Sequence, residues 1–154
     1  MKILRALPVL ALAAVLAAGC SDADQGPEID AITLDDLTGS WAATSHVFTN
    51  KANTGQSFDL IANGGSTDIT VLSGGRVRTW VNIGDFSDEW DAQFTISGNT
   101  LTSTPAEASR GMSEYTFTLV DGVLTLMDDD ESFDFTLSGA SEIPATMKVV
   151  FVRK

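Results

Sequence analysis

The sequence predicts an all-β protein, an antiparallel up-and-down β-barrel of about eight to ten strands. Apolar side chains alternate with polar ones at a period of two, with threonine and aromatic residues frequent, as in half-buried antiparallel strands. Glycine, asparagine and aspartate turn signals separate these segments at short intervals. A two-sheet β-sandwich is the alternative. The barrel is favoured because every link reads as a hairpin, without a long Greek-key connection.

The alternation defines the individual strands. The segment from Ile32 to Leu37 predicts one helical turn with Thr33 as its cap, and no later segment keeps a helical period. The pattern predicts ten candidate strands, at 41–49, 57–62, 66–72, 76–83, 89–96, 100–104, 113–120, 123–128, 132–138 and 146–153. Turns are predicted at Gly64-Gly65, Gly74-Gly75, Gly98-Asn99, Asp121-Gly122 and Asp128 to Asp130.

The first twenty residues have the pattern of an export signal. Lys2 and Arg5 precede an uninterrupted apolar run at 6–18, which is too short for a membrane span of about 20 residues. Small residues then lead directly into Cys20 in the sequence LAAGC. This segment resembles the lipobox of bacterial lipoproteins, although Ala17 stands where that motif usually has leucine. The alternative is an ordinary secretory signal with an incidental cysteine.

The lipoprotein resemblance implies a membrane anchor. It implies removal of the signal peptide at 1–19 and attachment of diacylglycerol and a further acyl chain, typically palmitate, to Cys20. Several acyl chains anchor a protein durably. Ser21, rather than aspartate, follows the cysteine, which in this family implies sorting to the outer membrane, facing the periplasm. Residues 20–30 are polar and acidic and read as a flexible tether, and 31–154 form the barrel domain.

Composition and charge exclude several classes of function. The chain has 154 residues, with 21 acidic against 9 basic side chains and a net charge of −12. Loss of Lys2 and Arg5 with the signal deepens this charge to −14. Such an acidic chain lacks the Lys/Arg footprint of a nucleic-acid-binding protein and is repelled by anionic headgroups, so only the lipid would hold it to a membrane. The single cysteine excludes intramolecular disulfides and cysteine-rich cofactor sites.

A second resemblance concerns the barrel itself. The sequence LTGSW contains Gly39 and Trp41 as a G-x-W motif at the mouth of the first strand. This motif resembles the lipocalin family and its bacterial relatives, as does the stretch DLIANGG at 59–65. The resemblance implies that the tryptophan closes the barrel and that Arg153, near the chain end, packs over its ring. Lipocalins proper have eight strands and usually a C-terminal helix, which this chain lacks, so eight and ten strands remain open.

Catalytic and metal-binding motifs are not found in the sequence. None of the hydrolase, zincin, dinucleotide or P-loop signatures is present. His46, the only histidine, alternates with Thr44 and Phe48 and is predicted on the face opposite Trp41, as a surface or packing residue. Acidic runs at 85–91 and 128–131 read as solvated hairpin tips rather than calcium sites. The prediction is a protein that is not an enzyme and carries no cofactor.

The aromatic side chains indicate where a ligand would bind. They are expected to point to one side of their strands, into a barrel that is either filled or holds a small ligand; the set is Trp90, Phe94, Tyr115, Phe117, Phe133 and Phe135. Arg78 would suit a ligand carboxylate if it faced inward, but an outward side chain is favoured because the opposite face is more apolar.

Two functions remain open. The leading prediction is an envelope lipoprotein whose barrel binds a small hydrophobic or amphipathic molecule. The alternative is a non-enzymatic interaction or structural protein with a filled barrel and acidic partner-binding loops. The sequence does not determine the oligomeric state.

Overall fold

Eight antiparallel strands close into a barrel in the computed structural model of this chain, which describes residues 31–139 and 141–154. The prediction of an all-β antiparallel barrel is confirmed, and the sandwich alternative is not. The predicted signal peptide, Cys20 and the tether lie outside the described residues. Within the described ranges, no helix is both long and apolar enough to cross a membrane.

The strands follow one another around the barrel in sequence order. Each pairs with the next in an antiparallel register, apart from β2, and β9 returns to pair with β1. The elements are α1 (Leu34–Leu37), β1 (Gly39–Asn50), β2 (Ser57–Asp59), β3 (Ser66–Val71), β4 (Arg76–Ile83), β5 (Phe86–Ser97), β6 (Thr100–Pro105), β7 (Ser113–Val120), β8 (Val123–Phe133) and β9 (Ile143–Arg153). Short 3₁₀ turns lie at Ser73–Gly75 and Ala108–Arg110.

The ninth strand, β2, lies outside the ring of eight. It pairs with residues 47–49 of β1, whereas β3 pairs with residues 39–42 of the same strand. Both therefore occupy one edge of β1, at its two ends. A strand that shares an edge in this way adds to the strand count without widening the barrel, which explains why the sequence pattern shows more than eight strands.

The predicted strand at 132–138 and the predicted turn at Asp128 to Asp130 are both wrong. β8 continues through the acidic run to Phe133, and a bulge between Asp128 and Glu131 accommodates one extra residue. The chain turns later, where the Asp134 carboxylate accepts hydrogen bonds from the backbone N–H groups of Thr136 and Gly139. This aspartate turn ends the alternation, because a side chain that bonds its own backbone competes with strand pairing.

A second bulge changes the direction of side chains along β1. The register of β1 against β9 shifts between Ala43 and Ser45, so Thr44 is an extra residue. Trp41 and His46 therefore both face the barrel interior, although their spacing in an unbroken strand would put them on opposite faces. The prediction that His46 lies on the face opposite Trp41 is wrong for this reason.

The barrel is filled at one end only. Here α1 packs across the opening, and Leu37 and Trp41 are fully buried together with Val71, Val77, Leu101, Leu124 and Phe151. The Trp41 indole Nε1–H donates a hydrogen bond of 2.8 Å to the Leu37 carbonyl, which fixes the helical turn to the first strand. We call this the closed end; the opposite end carries the β4–β5 turn and the loop between β8 and β9.

Candidate ligand-binding cavity

The half of the barrel away from α1 encloses a cavity of about 700 Å³. Its wall is mainly apolar and draws side chains from all eight barrel strands, with Ser103 as the contribution of β6. The apolar lining residues include Phe48, Ile69, Phe94, Leu126, Val149 and Phe151. Small-molecule sites commonly measure roughly 300–1,000 Å³ and have this mixture of an apolar wall with a few polar groups.

Four of the six predicted aromatic residues line the cavity. They are Trp90, Phe94, Tyr115 and Phe133. Phe117 points inward and is buried in the hydrophobic core, but it does not line the cavity. Phe135 does not line the cavity and instead packs edge-on against Phe133, with ring centroids 5.1 Å apart. The strand pattern thus predicted correctly that Phe117 faces inward. It could not predict that the barrel is filled at this level, which leaves no cavity beside the ring.

Phe133 is the centre of an aromatic wall near the open end. Its ring stacks on Phe48 at a centroid distance of 4.1 Å and lies 5.3 Å from Phe58. Phe48 in turn lies 4.8 Å from the His46 ring. Such ring pairs hold one another in place, so the shape of this side of the cavity is fixed by contacts within the protein.

Arg78 lies outside the cavity and faces outward, as the sequence pattern favoured, so its candidacy as a pocket residue, which required an inward side chain, is not borne out. The side chain is exposed on the outer face of β4. Its Nε lies 2.9 Å from the Asp91 carboxylate and 3.2 Å from that of Glu89, on the neighbouring strand. The more apolar face of β4, with Val77 and Thr79, turns inward. Arg78 is therefore not placed to bind a ligand carboxylate inside the barrel.

His46 is the polar residue of the cavity wall that the sequence pattern failed to place. It is 6% exposed, and its Nδ1 lies 2.9 Å from the Thr67 hydroxyl. Its Nε2 has no hydrogen-bond partner among residues 31–139 and 141–154. Burial lowers the pKa of His46 from 6.5 to about 4, against the opposing effect of the Asp59 carboxylate. The ring is therefore neutral at pH 7, with one nitrogen left to donate or accept a hydrogen bond.

Tyr115 and Glu131 supply further polar groups to the cavity wall. Burial raises the pKa of the Tyr115 phenol, against a hydrogen bond with Ser113, and the nearby carboxylates of Glu131 and Asp128 raise it further. Burial also raises the pKa of Glu131, with Asp128 adding to the effect. Glu131 thus lies close enough to Tyr115 to raise the pKa of its phenol, and both side chains favour their neutral forms more than they would in water.

The mouth of the cavity combines acidic and apolar side chains. Asp88 makes a bidentate ion pair with Arg110, at 2.7 and 2.8 Å, and the Arg110 guanidinium lies 4.9 Å from the centre of the Trp90 ring. Phe86 and Leu137 line the same opening and are 58% and 55% exposed. Large apolar side chains exposed at an opening into an apolar cavity are typical of ligand entry sites.

The closed end brings together the three residues singled out by the lipocalin resemblance. The Arg153 guanidinium lies 4.4 Å from the centre of the Trp41 ring and donates hydrogen bonds to the carbonyls of Thr38, at 2.7 Å, and Asp36. Gly39 has a φ of +136°, and a Cβ there would lie 2.8 Å from Arg153 Nη1. These residues close the barrel and lie away from the cavity.

The two acidic runs do not converge on a common point. Asp88 pairs with Arg110, and Asp91 pairs with Arg78. In the described part of the chain, no group of three or more histidine, cysteine or carboxylate side chains is placed to hold a metal ion.

Comparison of the chain with known proteins finds no similar protein. Scans against protein-family models, curated proteins and solved structures return no significant match to this chain. The lipocalin-like interpretation therefore rests on the barrel topology and on the contacts among Gly39, Trp41 and Arg153.

Proposed function

We propose that this chain is a binding protein that holds a small hydrophobic or amphipathic molecule inside its barrel. The observation that carries the proposal is the cavity of about 700 Å³ with its mainly apolar wall. The apolar side chains that face one another across a volume of this size are too far apart to pack together, and a bound ligand would supply those packing contacts. The alternative function, an interaction protein with a filled barrel, has less support because half of the barrel is open.

Binding would draw its affinity from apolar burial. A ligand that buries about 300 Å² of apolar surface gains roughly 7 kcal/mol, at about 25 cal/mol per Å², before the cost of association. The aromatic wall around Phe133 is already formed, which limits the ordering cost. The polar groups of His46, Tyr115 and Glu131 would orient the ligand rather than supply most of its affinity.

We further propose that the protein works in the bacterial cell envelope, attached through lipid on Cys20 and facing the periplasm from the outer membrane. The support is the lipobox-like sequence LAAGC, followed by Ser21 rather than aspartate. Replacing Cys20→Ser should move the protein from the membrane to the soluble fraction, whereas Ser21→Ala should leave it on the membrane. Membrane retention of the Cys20→Ser chain would contradict this anchor.

The binding proposal can be tested directly with a neutral fluorescent probe. The full chain carrying Cys20→Ser should enhance the fluorescence of N-phenyl-1-naphthylamine, and a solvent extract of the purified protein should be analysed by mass spectrometry. Ser103 faces the cavity and is buried, whereas Thr104 follows it on the opposite face. Ser103→Trp should fill part of the cavity and weaken probe binding, whereas Thr104→Trp should not. A chain that binds no probe and carries no extractable molecule would refute the proposal.

A further inference from the structure

The charges in the cavity wall are all of one sign. Four carboxylate residues line the cavity or its mouth, namely Asp88, Glu131, Asp134 and Glu142, and no described lysine or arginine lines it. Three of the four are engaged by neighbours: Asp88 by Arg110, Asp134 by the backbone of its own turn, and Glu142 by the Ser132 hydroxyl at 2.8 Å. These three are therefore largely committed within the protein.

Glu131 differs from the other three carboxylates. It is half-buried, and the hydrogen bond it accepts comes from the adjacent Ser132 amide at 3.3 Å. No ion pair joins it to a basic side chain in the described part of the protein. A carboxylate withdrawn from water without a cationic partner is unfavourable, so a cation supplied by a ligand would stabilise it.

His46 provides an independent indication that a polar ligand group is bound here. Its side chain lines the same cavity and is 6% exposed, and no described residue bonds its Nε2. Buried polar atoms in folded proteins are nearly always hydrogen-bonded. A ligand that carries both a polar end and an apolar body would satisfy the polar groups of Glu131, Tyr115 and His46 while its body contacts the apolar wall.

We propose that the cavity selects amphiphiles with a protonated amine over those with a carboxylate, with the ammonium group bound by Glu131. This inference rests on the proposed binding function and names the ligand class of the same site. A ligand carboxylate would meet the carboxylates of Glu131, Asp134 and Glu142, none of which is in an ion pair with a described basic residue, within a chain of net charge −12. An ammonium group would instead be attracted by the negative potential of these carboxylates. Its three N–H donors could bond the oxygens of Glu131 and Tyr115.

Three alkyl compounds of equal length test the preference without any change to the cavity. Decylamine, decanol and decanoate would each compete with N-phenyl-1-naphthylamine for the full chain carrying Cys20→Ser at pH 7. Decylamine should displace the probe at a concentration at least about tenfold lower than decanoate, because a charge-assisted hydrogen bond is worth about one order of magnitude in affinity. Decanol should lie between them.

A pair of matched variants assigns the effect to one residue. Glu131→Gln should weaken decylamine binding about tenfold while leaving decanol nearly unchanged. Glu114→Gln is the control, because it makes the same chemical change and the same change of net charge on the exposed outer face of β7. The Glu114→Gln change should alter the affinity for neither decylamine nor decanol.

The outcomes separate the two proposals. Binding of the neutral probe with equal displacement by decanoate and decylamine, or an unchanged decylamine affinity in Glu131→Gln, overturns the amine preference and leaves the binding function standing. Failure of every compound to bind overturns both. The headgroup comparison needs no cavity variant, so it decides the question even if Glu131→Gln does not fold.

Discussion

The Arg153 guanidinium lies over the Trp41 indole, with its central carbon 4.4 Å from the ring centre. The same group donates to the backbone carbonyls of Thr38 and Asp36. One side chain therefore ties the end of β9 to the helical turn and to the start of β1. This contact closes the barrel at the point where the first and last strands meet, so we expect it to contribute to the stability of the whole domain.

Replacing Arg153→Lys should lower the free energy of unfolding by about 1–2 kcal/mol. Lysine keeps the charge but loses the planar fork, which both stacks on Trp41 and bonds two carbonyls at once. Urea unfolding followed by tryptophan fluorescence would measure the change. Lys154→Ala is the control, because its ion pair with Asp68 at 2.8 Å is exposed and should be worth less than about 1 kcal/mol. Equal losses in the two variants would contradict a special role for Arg153.

Gly39→Ala should destabilise the protein by more than Gly64→Ala, in the range of about 2–4 kcal/mol against about 1–2 kcal/mol. Both positions have a positive φ, which strains any residue with a Cβ. At Gly39 the new methyl would also lie 2.8 Å from Arg153 Nη1, whereas at Gly64 it would meet nothing within 4 Å. Thermal melts of the two variants would show whether the close approach of Arg153 adds to the backbone strain.

The protein should lose stability between about pH 6.5 and pH 4 because of His46. The unfolded chain binds a proton on this histidine below its ordinary pKa of 6.5, whereas burial lowers the pKa in the folded protein to about 4. The contribution is therefore fully present above pH 6.5 and is lost as the pH falls, by about 3 kcal/mol. The lowered pKa values of Asp36, Asp59 and Asp88 act at lower pH, below their ordinary value of 3.8.

Urea unfolding at pH 7 and pH 4.5 would check this expectation. His46→Gln keeps a polar side chain near the Thr67 hydroxyl and removes the titration, so its stability should change less than that of the parent protein over this interval. A variant that loses as much stability as the parent would show that another group is responsible.

Glu131→Gln should stabilise the ligand-free protein at pH 7 by about 1 kcal/mol, the low end for a charge that is only half-buried. Burial raises the pKa of Glu131 in the folded state, so its contribution is most favourable below the unfolded pKa and is lost as the pH rises through the folded pKa. The gain should therefore vanish at acidic pH. Thermal melts at pH 7 and pH 4 would measure the difference, and a variant less stable than the parent at pH 7 would contradict it.

Much of the fold could be predicted from the sequence because side chains of a β-strand alternate between the two faces of the sheet. Apolar residues at every second position therefore mark the inward face. Trp90, Phe94 and Tyr115 lie in uninterrupted strands, and each was correctly placed inside the barrel. The prediction failed where the period was broken by local geometry. The extra residue at Thr44 turned His46 inward, and β8 ends where the Asp134 carboxylate accepts hydrogen bonds from the backbone N–H groups of Thr136 and Gly139.

The polar part of the candidate site depends on contacts that alternation does not encode. Glu131 belongs to an acidic run whose sequence resembles a solvated turn. It lies in the cavity wall because β8 continues through this run, with a bulge between Asp128 and Glu131. Arg78 is the opposite case, because the apolar alternation of β4 predicted its outward side chain, which pairs there with Asp91 and Glu89. Charge alone did not distinguish these two residues; the strand register did.

The bulge at Thr44 divides β1 into two halves. Odd-numbered Trp41 faces the interior before the bulge, and even-numbered His46 and Phe48 face it after the bulge. The first half supplies Trp41 to the closed end, and the second half supplies His46 and Phe48 to the cavity. Deleting Thr44 would rejoin the phases, so either the tryptophan or the histidine would have to leave the interior. One surplus residue thus lets a single strand fill the closed end with one phase and line the cavity with the other.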